Sequence, residues 1–382
     1  MIKHGRITLT AAVILLSLLA GALILFGLHP PMRDFEVNYT AGKRMRLGET
    51  LYRFEDEHYM FKYLPSSALL YVPLALLPLE TAKAIWFWLT LTASAAGVIF
   101  CRRLLPPGRS FWVWMLPVLI LAKYYLREFQ LGQINSLVTA VLLGMIYLLS
   151  RPPSGNKNKT AAGGAWGLAV AMKPYSFIFF PYLAVKKYII PLGAGLLLLL
   201  AALFLPVYYY GFEGNLRVLN EWFSSLAQST PLLFSSQDNV SLAGFYTKLT
   251  GSPDRGILFA LITSLILAGL ILWIIIKGKS LKRPEVLEGS IILTSIPLVS
   301  PLGWDYTFLS AILGVMICIY FFRHYPLGGR ILLTVNFAVI SLSLYDLLGP
   351  EWYSRFMNWS VLTINFLILI GYLAYLRFKE IY

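Results

Sequence analysis

The residue with the clearest chemical potential follows the first apolar run of the chain. Residues 7–32 contain no Asp, Glu, Lys or Arg, and Asp34 comes two positions later. A run of this length can cross a bilayer, so Asp34 is expected where the chain leaves the membrane. There it is a candidate general base. Alternatively, Asp34 is the N-cap of a helix over 35–47 that Gly48 ends. The two roles are compatible, because a cap leaves one carboxylate oxygen free.

Two cationic features could bind an anionic group. Lys173 precedes Pro174 in the middle of the apolar segment 161–185. A lysine in such a segment is costly and is functional by default, although a snorkelling or paired structural lysine is the alternative. The predicted helix 35–47 has a basic surface that includes Arg44. This surface could lie on lipid headgroups or contact a lipid phosphate.

Amides, aromatic rings and acids that could orient a sugar occur at three later positions. They are Gln133 and Asn135, then Asn239, then Trp304, Asp305 and Tyr306. The first two lie at the predicted mouth of a span, where amides suit sugar hydroxyls, although helix capping also explains one of them. The Trp304 ring could stack on a sugar face or belong to an interfacial aromatic belt.

Several common catalytic motifs are absent from the sequence. There is no Asp-x-Asp pair, no Gly-x-Gly-x-x-Gly, no Gly-x-x-x-x-Gly-Lys-Ser/Thr and no His-x-x-x-His. A nucleotide-driven pump and a zinc protease therefore do not fit. We expect no metal site and no cofactor.

Composition places the chain among integral membrane proteins. Hydrophobic residues make up 58% of the 382 positions and charged residues only 13%, about half the charged fraction of a soluble domain. The net charge of +14 comes from short basic clusters between apolar runs. Such clusters set membrane orientation, so the charge predicts no nucleic-acid partner.

The apolar runs predict an all-α polytopic protein forming one membrane domain over 1–382. They are 7–28, 83–101, 110–126, 133–150, 188–209, 256–277, 289–304, 306–322, 331–347 and 357–376. With a pair of half-helices over 161–185, roughly 11–13 spans are expected. The short segment 66–79 suits an interfacial or re-entrant helix. The basic loops place both termini in the cytoplasm and leave two long outer loops, 29–65 and 210–255, the first with amphipathic helices.

A series of short motifs follows the pattern of a known family. They are Asp34-Phe35, Tyr39, Ala41-Gly42, Gly48-x-x-Leu51-Tyr52, Phe61-x-Tyr63-x-Pro65, Ala68-Leu69-Leu70, Pro73-Leu74-Ala75-Leu76-Leu77-Pro78, Gly132-Gln133-Ile134-Asn135, Gly167-Leu168-Ala169, Met172-Lys173-Pro174, Asn239-x-Ser241 and Ser300-Pro301-x-x-Trp304-Asp305. In these the chain resembles glycosyltransferase family 87, membrane mannosyltransferase-like enzymes of the GT-C fold. It departs from the family pattern at Leu64, where proline is usual, and at Tyr306, where histidine is usual.

The resemblance implies a metal-independent, inverting glycosyltransferase on the outer face of a bacterial plasma membrane. It would move a sugar, with mannose favoured, from a polyprenyl-phosphate donor to a hydroxyl of a glycan or glycolipid. Asp34 would be the base, and Lys173 and Arg44 would hold the donor phosphate. The implied substrate contacts are Tyr39, Lys62, Tyr63, Gln133, Asn135, Asn239, Trp304, Asp305 and Tyr306. Besides donor and acceptor, membrane lipids are the expected partners.

Two other classes of protein share parts of this pattern. A transporter or flippase of lipid-linked or small polar substrates would also have many spans and a broken helix with a buried lysine. It would not need an acid-bearing outer loop directly after the first span, and the sequence shows no repeated halves. A polysaccharide polymerase or ligase would by analogy use arginines in a large outer loop, where 210–255 has only Arg217 and Arg255.

Overall fold

The computed structural model describes residues 31–107, 110–151, 155–277 and 281–382. The first apolar run, 7–28, lies outside these ranges, so its role as a membrane span stays a prediction. The described residues form seventeen α-helices and no β-strand. A single antiparallel β-bridge joins Asn239 to Trp304 within this part of the chain.

The helices follow one another with short connections. In chain order they are α1 (Arg33–Arg46), α2 (Pro65–Ala68), α3 (Leu79–Leu104), α4 (Trp112–Ile120), α5 (Ala122–Leu131), α6 (Asn135–Leu149), α7 (Asn156–Met172), α8 (Phe179–Val185), α9 (Ile189–Phe204), α10 (Val207–Ser229), α11 (Leu242–Thr250), α12 (Pro253–Lys277), α13 (Pro284–Val299), α14 (Ile312–Tyr320), α15 (Leu327–Leu342), α16 (Tyr345–Asn358) and α17 (Val361–Phe378). Short 3-10 helices cover Phe54–Tyr59, Leu74–Leu76, Pro174–Ile178, Pro231–Leu233, Asp305–Ala311 and Phe322–His324.

Length and apolar composition identify the membrane helices. Among the described residues, α3, α12 and α17 each pass as a span, and two bent pairs raise the count to five. The pairs are α9 with the helical stretch Val207–Leu233, bent by 92°, and α15 with α16, bent by 100°. Shorter apolar helices cover Asn135–Leu149, Pro174–Val185 and Asp305–Tyr320. The predicted all-α polytopic class is confirmed, whereas the larger expected number of crossings stays a prediction.

The core lies around α13. Every residue of this helix from Val286 to Leu298 is buried, against α6, α14 and α17. A mainly apolar helix that is buried on all sides belongs in the interior of a large membrane protein. By contrast, α12 leaves Leu261, Leu265 and Trp273 exposed, as expected for a helix that faces lipid.

Glycines bring α7 and α9 into close contact. A Cβ on Gly163 would lie 2.1 Å from the Pro191 carbonyl oxygen, and one on Gly167 would lie 2.5 Å from the Gly195 carbonyl oxygen. Small residues four positions apart allow two membrane helices to approach backbone to backbone. This packing fixes the carboxyl end of α7, where Lys173 follows.

The structure corrects one local prediction and supports two others. Helix α1 begins at Arg33 with Met32 as its N-cap, so Asp34 lies inside the first turn and the predicted capping role is wrong. Gly48 has a φ of +69° just after the helix, as its predicted stop requires. The segment 161–185 breaks at Lys173, whose backbone is extended. The segment 66–79, predicted as a short interfacial or re-entrant helix, is divided between α2 and a 3-10 turn over Leu74–Leu76. Its place relative to the membrane stays a prediction.

Candidate active site

A large cavity with one polar end opens beside α1. Its volume is about 1100 Å³. The polar end is the hydrogen-bonded group of Asp34, Tyr63, Gln133, Lys173 and Tyr306. Further polar lining residues include Asn38, Lys62, Arg127 and Asp238. The apolar wall includes Phe177, Ile178, Trp222, Phe223, Leu226, Phe234 and Ile257. The cavity therefore suits a ligand with a polar head and an apolar tail.

The start of α1 is fixed against the turn that follows α5. Phe35 is fully buried, with its ring centroid 5.6 Å from that of Trp86. The Trp86 indole N–H donates a 2.9 Å hydrogen bond to the Gly132 carbonyl oxygen. Gly132 has a φ of +70°, and a Cβ there would lie only 2.6 Å from the Phe35 Cβ. These contacts place Asp34 next to Gln133.

Gln133 connects four polar side chains at the end of the cavity. Its Nε2 donates to Asp34 Oδ2 at 2.5 Å and to the Tyr306 hydroxyl at 3.1 Å. Its Oε1 accepts from Lys173 Nζ at 3.1 Å and from the Tyr63 hydroxyl at 3.3 Å. A carboxylate can only accept and an ammonium can only donate, so these partners fix the orientation of the amide. Asp34 is thus held by one oxygen.

Lys173 is buried and bound to amide oxygens. Besides Gln133, its Nζ donates to Asn135 Oδ1 at 2.8 Å, and it lies 5.0 Å from the centroid of the Tyr63 ring. The Asn135 Nδ2 in turn donates to Glu128 Oε2 at 2.7 Å. The lysine charge is therefore linked to two carboxylates through amides, and its main effect is to hold Gln133 and Asn135 in place.

Two residues of this site were not predicted. Glu128 is fully buried and also accepts a 2.8 Å bond from the Ser136 backbone N–H. Asn38 is 1% exposed, lines the cavity, and its Oδ1 has no hydrogen-bond partner among the described residues. The sequence signal for Asn38 was its position four residues after Asp34, which places both on one helix face.

Lys62 is the cation that stays available to a ligand. It is half-buried and lines the large cavity, and its ammonium makes no hydrogen bond or ion pair with the described residues. Burial lowers the pKa of Lys62 below the usual lysine value. Arg127 also lines the cavity but forms a 3.0 Å salt bridge with Asp238.

Burial, and then the charge of Asp34, raise the pKa of Tyr63, so its phenol stays protonated.

Arg44 and Tyr39 lie away from the cavity, contrary to their predicted roles. Arg44 faces a second cavity, where its guanidinium forms two hydrogen bonds with Asp56. Because of this pair, the pKa of Arg44 is raised and that of Asp56 lowered. The Tyr39 hydroxyl donates to the Leu77 carbonyl oxygen at 2.8 Å. The structure thus does not bring Arg44 together with Lys173.

The Asn239 and Trp304 regions meet in one buried junction. Asn239 Oδ1 accepts bonds of 3.1 Å from the backbone N–H groups of Ser241 and Gly303. Trp304 and Tyr306 line the cavity, while Asp305 is buried and accepts a 2.8 Å bond from the Tyr306 backbone N–H. Asn239 and Asp305 therefore position loops, and the structure does not place them at the cavity as predicted.

The charged side chains of the site do not form a metal-binding group. Within the part of the chain that the structure describes, no set of three or more His, Cys, Asp or Glu side chains could hold a metal ion. Metal independence of the reaction itself stays a prediction.

The fold and the site describe an integral membrane protein with a large cavity, in which the carboxylate of Asp34 is held by an amide. A family model for glycosyltransferase family 87 matches residues 61–301. The match covers more than half of the chain, and the chain belongs to this family. Searches of curated proteins and of solved structures gave no match.

Proposed function

We propose that the protein transfers a sugar, with mannose favoured, from a polyprenyl-phosphate donor to a hydroxyl acceptor. The observation that carries this proposal is Asp34, a carboxylate fixed by Gln133 at the polar end of a largely apolar cavity. The aromatic and aliphatic wall suits the polyprenyl chain, and the polar end suits the sugar and its phosphate. Family membership supports glycosyl transfer; the lipid donor, the GT-C fold and an outer-face site in a bacterial plasma membrane are parts of the proposal.

The proposed step is a single displacement with inversion. Asp34 accepts the proton of the acceptor hydroxyl as that oxygen forms a bond to the anomeric carbon. The bond between the anomeric carbon and the phosphate oxygen breaks, and its electron pair leaves with polyprenyl phosphate. Because Gln133 holds Oδ2, the other oxygen of Asp34 faces the acceptor. Tyr306 and Trp304 line the same end and contact the sugar.

Lys62 replaces Arg44 in the proposed phosphate site. The leaving phosphate gains negative charge, and a cation at that position stabilises it. Lys62 meets this requirement because its ammonium lines the cavity and has no partner among the described residues. Lys173 adds positive potential, but it is already bound to Gln133 and Asn135 and acts mainly as a positioning residue.

The test measures donor consumption by purified protein in detergent. A panel of radiolabelled polyprenyl-phosphate sugars is incubated with and without EDTA, for wild type, Asp34→Asn and the control Asp254→Asn. Asp254 also lies in the first turn of a helix but is exposed and lines neither cavity. We expect one donor to be consumed with EDTA present, and Asp34→Asn to lower the rate by about a hundredfold or more.

Two results would contradict the proposal. Full activity of folded Asp34→Asn would exclude Asp34 as the base. If wild type consumed no donor but moved a lipid-linked sugar across vesicles, the protein would be a flippase.

A further inference from the structure

The second cavity, on the other face of α1, differs in chemistry from the large one. It has a volume of about 480 Å³ and is bounded by α1 and by residues 56–61 of the first outer loop. Of its eight lining residues only Val37 and Phe61 have purely hydrocarbon side chains. The others are two arginines, two acids, a threonine and a tyrosine. This composition does not suit a lipid chain.

The charges of this small cavity are balanced. Arg44 pairs with Asp56, and Glu36 pairs with Lys83, which also binds Glu80. With Arg33, whose guanidinium donates to the Tyr59 hydroxyl, three cations stand against three carboxylates. Arg44 uses two of its five N–H donors on Asp56, so further donors remain. The Thr40 hydroxyl has no hydrogen-bond partner among the described residues. A cavity with many donors and acceptors but no excess charge favours a neutral, hydroxyl-rich ligand over a phosphate.

The two cavities share a boundary close to Asp34. Val37 and Tyr59 line both of them. Asp34 lies on α1 one turn before Val37 and Asn38, facing the large cavity. A ligand in the small cavity that extends past Val37 and Tyr59 therefore enters the large cavity on the side of α1 that carries Asp34, the proposed base.

We propose that the small cavity binds the acceptor, a neutral sugar whose reacting hydroxyl passes Val37 and Tyr59 to meet Asp34. The inference rests on the proposed function, and it separates the two substrates by their chemistry. The donor takes the cavity with an apolar wall. The acceptor occupies the small cavity, whose lining includes Glu36, Thr40, Arg44 and Asp56. Its reacting group is a hydroxyl of a glycan headgroup, and it is not a second polyprenyl lipid.

The experiment fills the small cavity from an exposed position. Thr40→Trp adds a large side chain where no hydrogen bond is lost, and Thr40→Val removes only the hydroxyl. Thr81→Trp is the matched control, because Thr81 is also an exposed helical threonine but lines neither described cavity. The probes are octyl glycosides of mannose, glucose and galactose, with the donor found for wild type. Transfer to the glycoside and hydrolysis of the donor by water are measured in the same reaction.

We expect Thr40→Trp to lower the ratio of transfer to hydrolysis by about tenfold or more, through a raised KM for the glycoside. Thr40→Val should raise that KM by about threefold to tenfold, the effect of one lost hydrogen bond. Thr81→Trp should leave both rates unchanged.

An unchanged ratio in Thr40→Trp would overturn the assignment of the small cavity to the acceptor. Loss of donor hydrolysis in folded Thr40→Trp would also overturn it, because the donor would then depend on this cavity. If wild type neither hydrolyses nor transfers any donor, the proposed function itself fails, which is a different result from either of these.

Discussion

At the scale of single residues, Asp34 differs from its neighbouring acids in the partner that holds it. Salt bridges to lysine or arginine bind Glu36, Glu49 and Asp56. Asp34 instead accepts a hydrogen bond from the neutral amide of Gln133. An amide fixes the direction of the carboxylate without placing a cation against it. Asp34 is therefore oriented without a salt-bridge partner.

Substitution of the two cavity lysines should have different kinetic effects. Lys62→Gln removes the proposed phosphate contact, so we expect the KM for the donor to rise about tenfold to a hundredfold, the usual value of a charged hydrogen bond. Lys173→Gln should lower kcat more than it changes KM, because it disturbs Gln133. Lys379→Gln, at an exposed position remote from the site, is the control. If Lys173→Gln raised the donor KM and Lys62→Gln did not, this division of roles would be contradicted.

The lowered pKa of Lys62 predicts a pH dependence for donor binding. The ammonium binds phosphate only when protonated, and burial lowers its pKa below the usual lysine value. As pH rises through this lowered pKa, Lys62 loses its charge. The donor KM should therefore begin to increase at a lower pH than it would if the phosphate were bound by an exposed lysine. Lys62→Arg keeps its charge over this range and should remove the increase. Persistence of the same alkaline rise in folded Lys62→Arg would assign it to another group.

At the scale of secondary-structure elements, the turn between α5 and α6 determines where α1 begins. The Met32 backbone N–H donates to the Gln130 carbonyl oxygen at 3.0 Å, and Gly132 packs on Phe35. The same turn carries Gln133. The proposed base and the amide that orients it are therefore positioned by one set of contacts, although Asp34 and Gln133 are 99 residues apart in the sequence.

Gly132→Ala tests this coupling. An added Cβ would strain a backbone with a φ of +70° and clash with Phe35, so we expect transferase activity to fall by about tenfold or more. Gly251→Ala is the control: Gly251 has a similar φ of +65°, but a Cβ there would meet no atom within 4 Å. The comparison separates backbone strain from the Phe35 contact. Equal losses of activity in the two variants would rule out the contact as the cause.

The sequence predicted where helices end better than it predicted how the helices and loops lie against one another. Gly48 and Pro174 mark chain breaks by local rules, and the structure has breaks at both places. Asp34 as a base was a prediction from its position after an apolar run. The sequence could not show that Lys62, and not Arg44, lies at the proposed phosphate site. That depends on which face of α1 meets which part of the loop and on the Arg44–Asp56 pair.

At the scale of the whole molecule, a buried carboxylate joins helices that are distant in sequence. Glu288 on α13 is fully buried, 2.8 Å from Arg377 of α17 and 2.8 Å from Lys186 after α8. The Tyr182 hydroxyl donates to it at 3.1 Å. Composition alone predicted an all-α membrane protein, because apolar runs are visible in sequence. It could not predict this junction, which needs three helices in their final places.

Glu288→Gln should destabilise the whole fold. It leaves the buried Arg377 and the half-buried Lys186 without their shared carboxylate, and removing one member of a buried ion pair costs about 3–5 kcal/mol. Thermal unfolding in detergent should show a clearly lower midpoint than wild type. Glu351→Gln breaks an exposed pair with Arg355 and should change stability by less than about 1 kcal/mol. An equal, small shift in both variants would show that the buried junction contributes little.

Helix α1 separates the two cavities, and its two faces carry different residues. Glu36, Thr40 and Arg44 recur every four positions on one face, while Asp34 and Asn38 do so on the other. If each face serves one substrate, as we propose, the two faces can diverge independently. Replacements on the first face would then change which glycan is extended and leave the base and the lipid-linked donor untouched. A family with such a helix can diversify its products through a few surface positions while keeping a single chemistry.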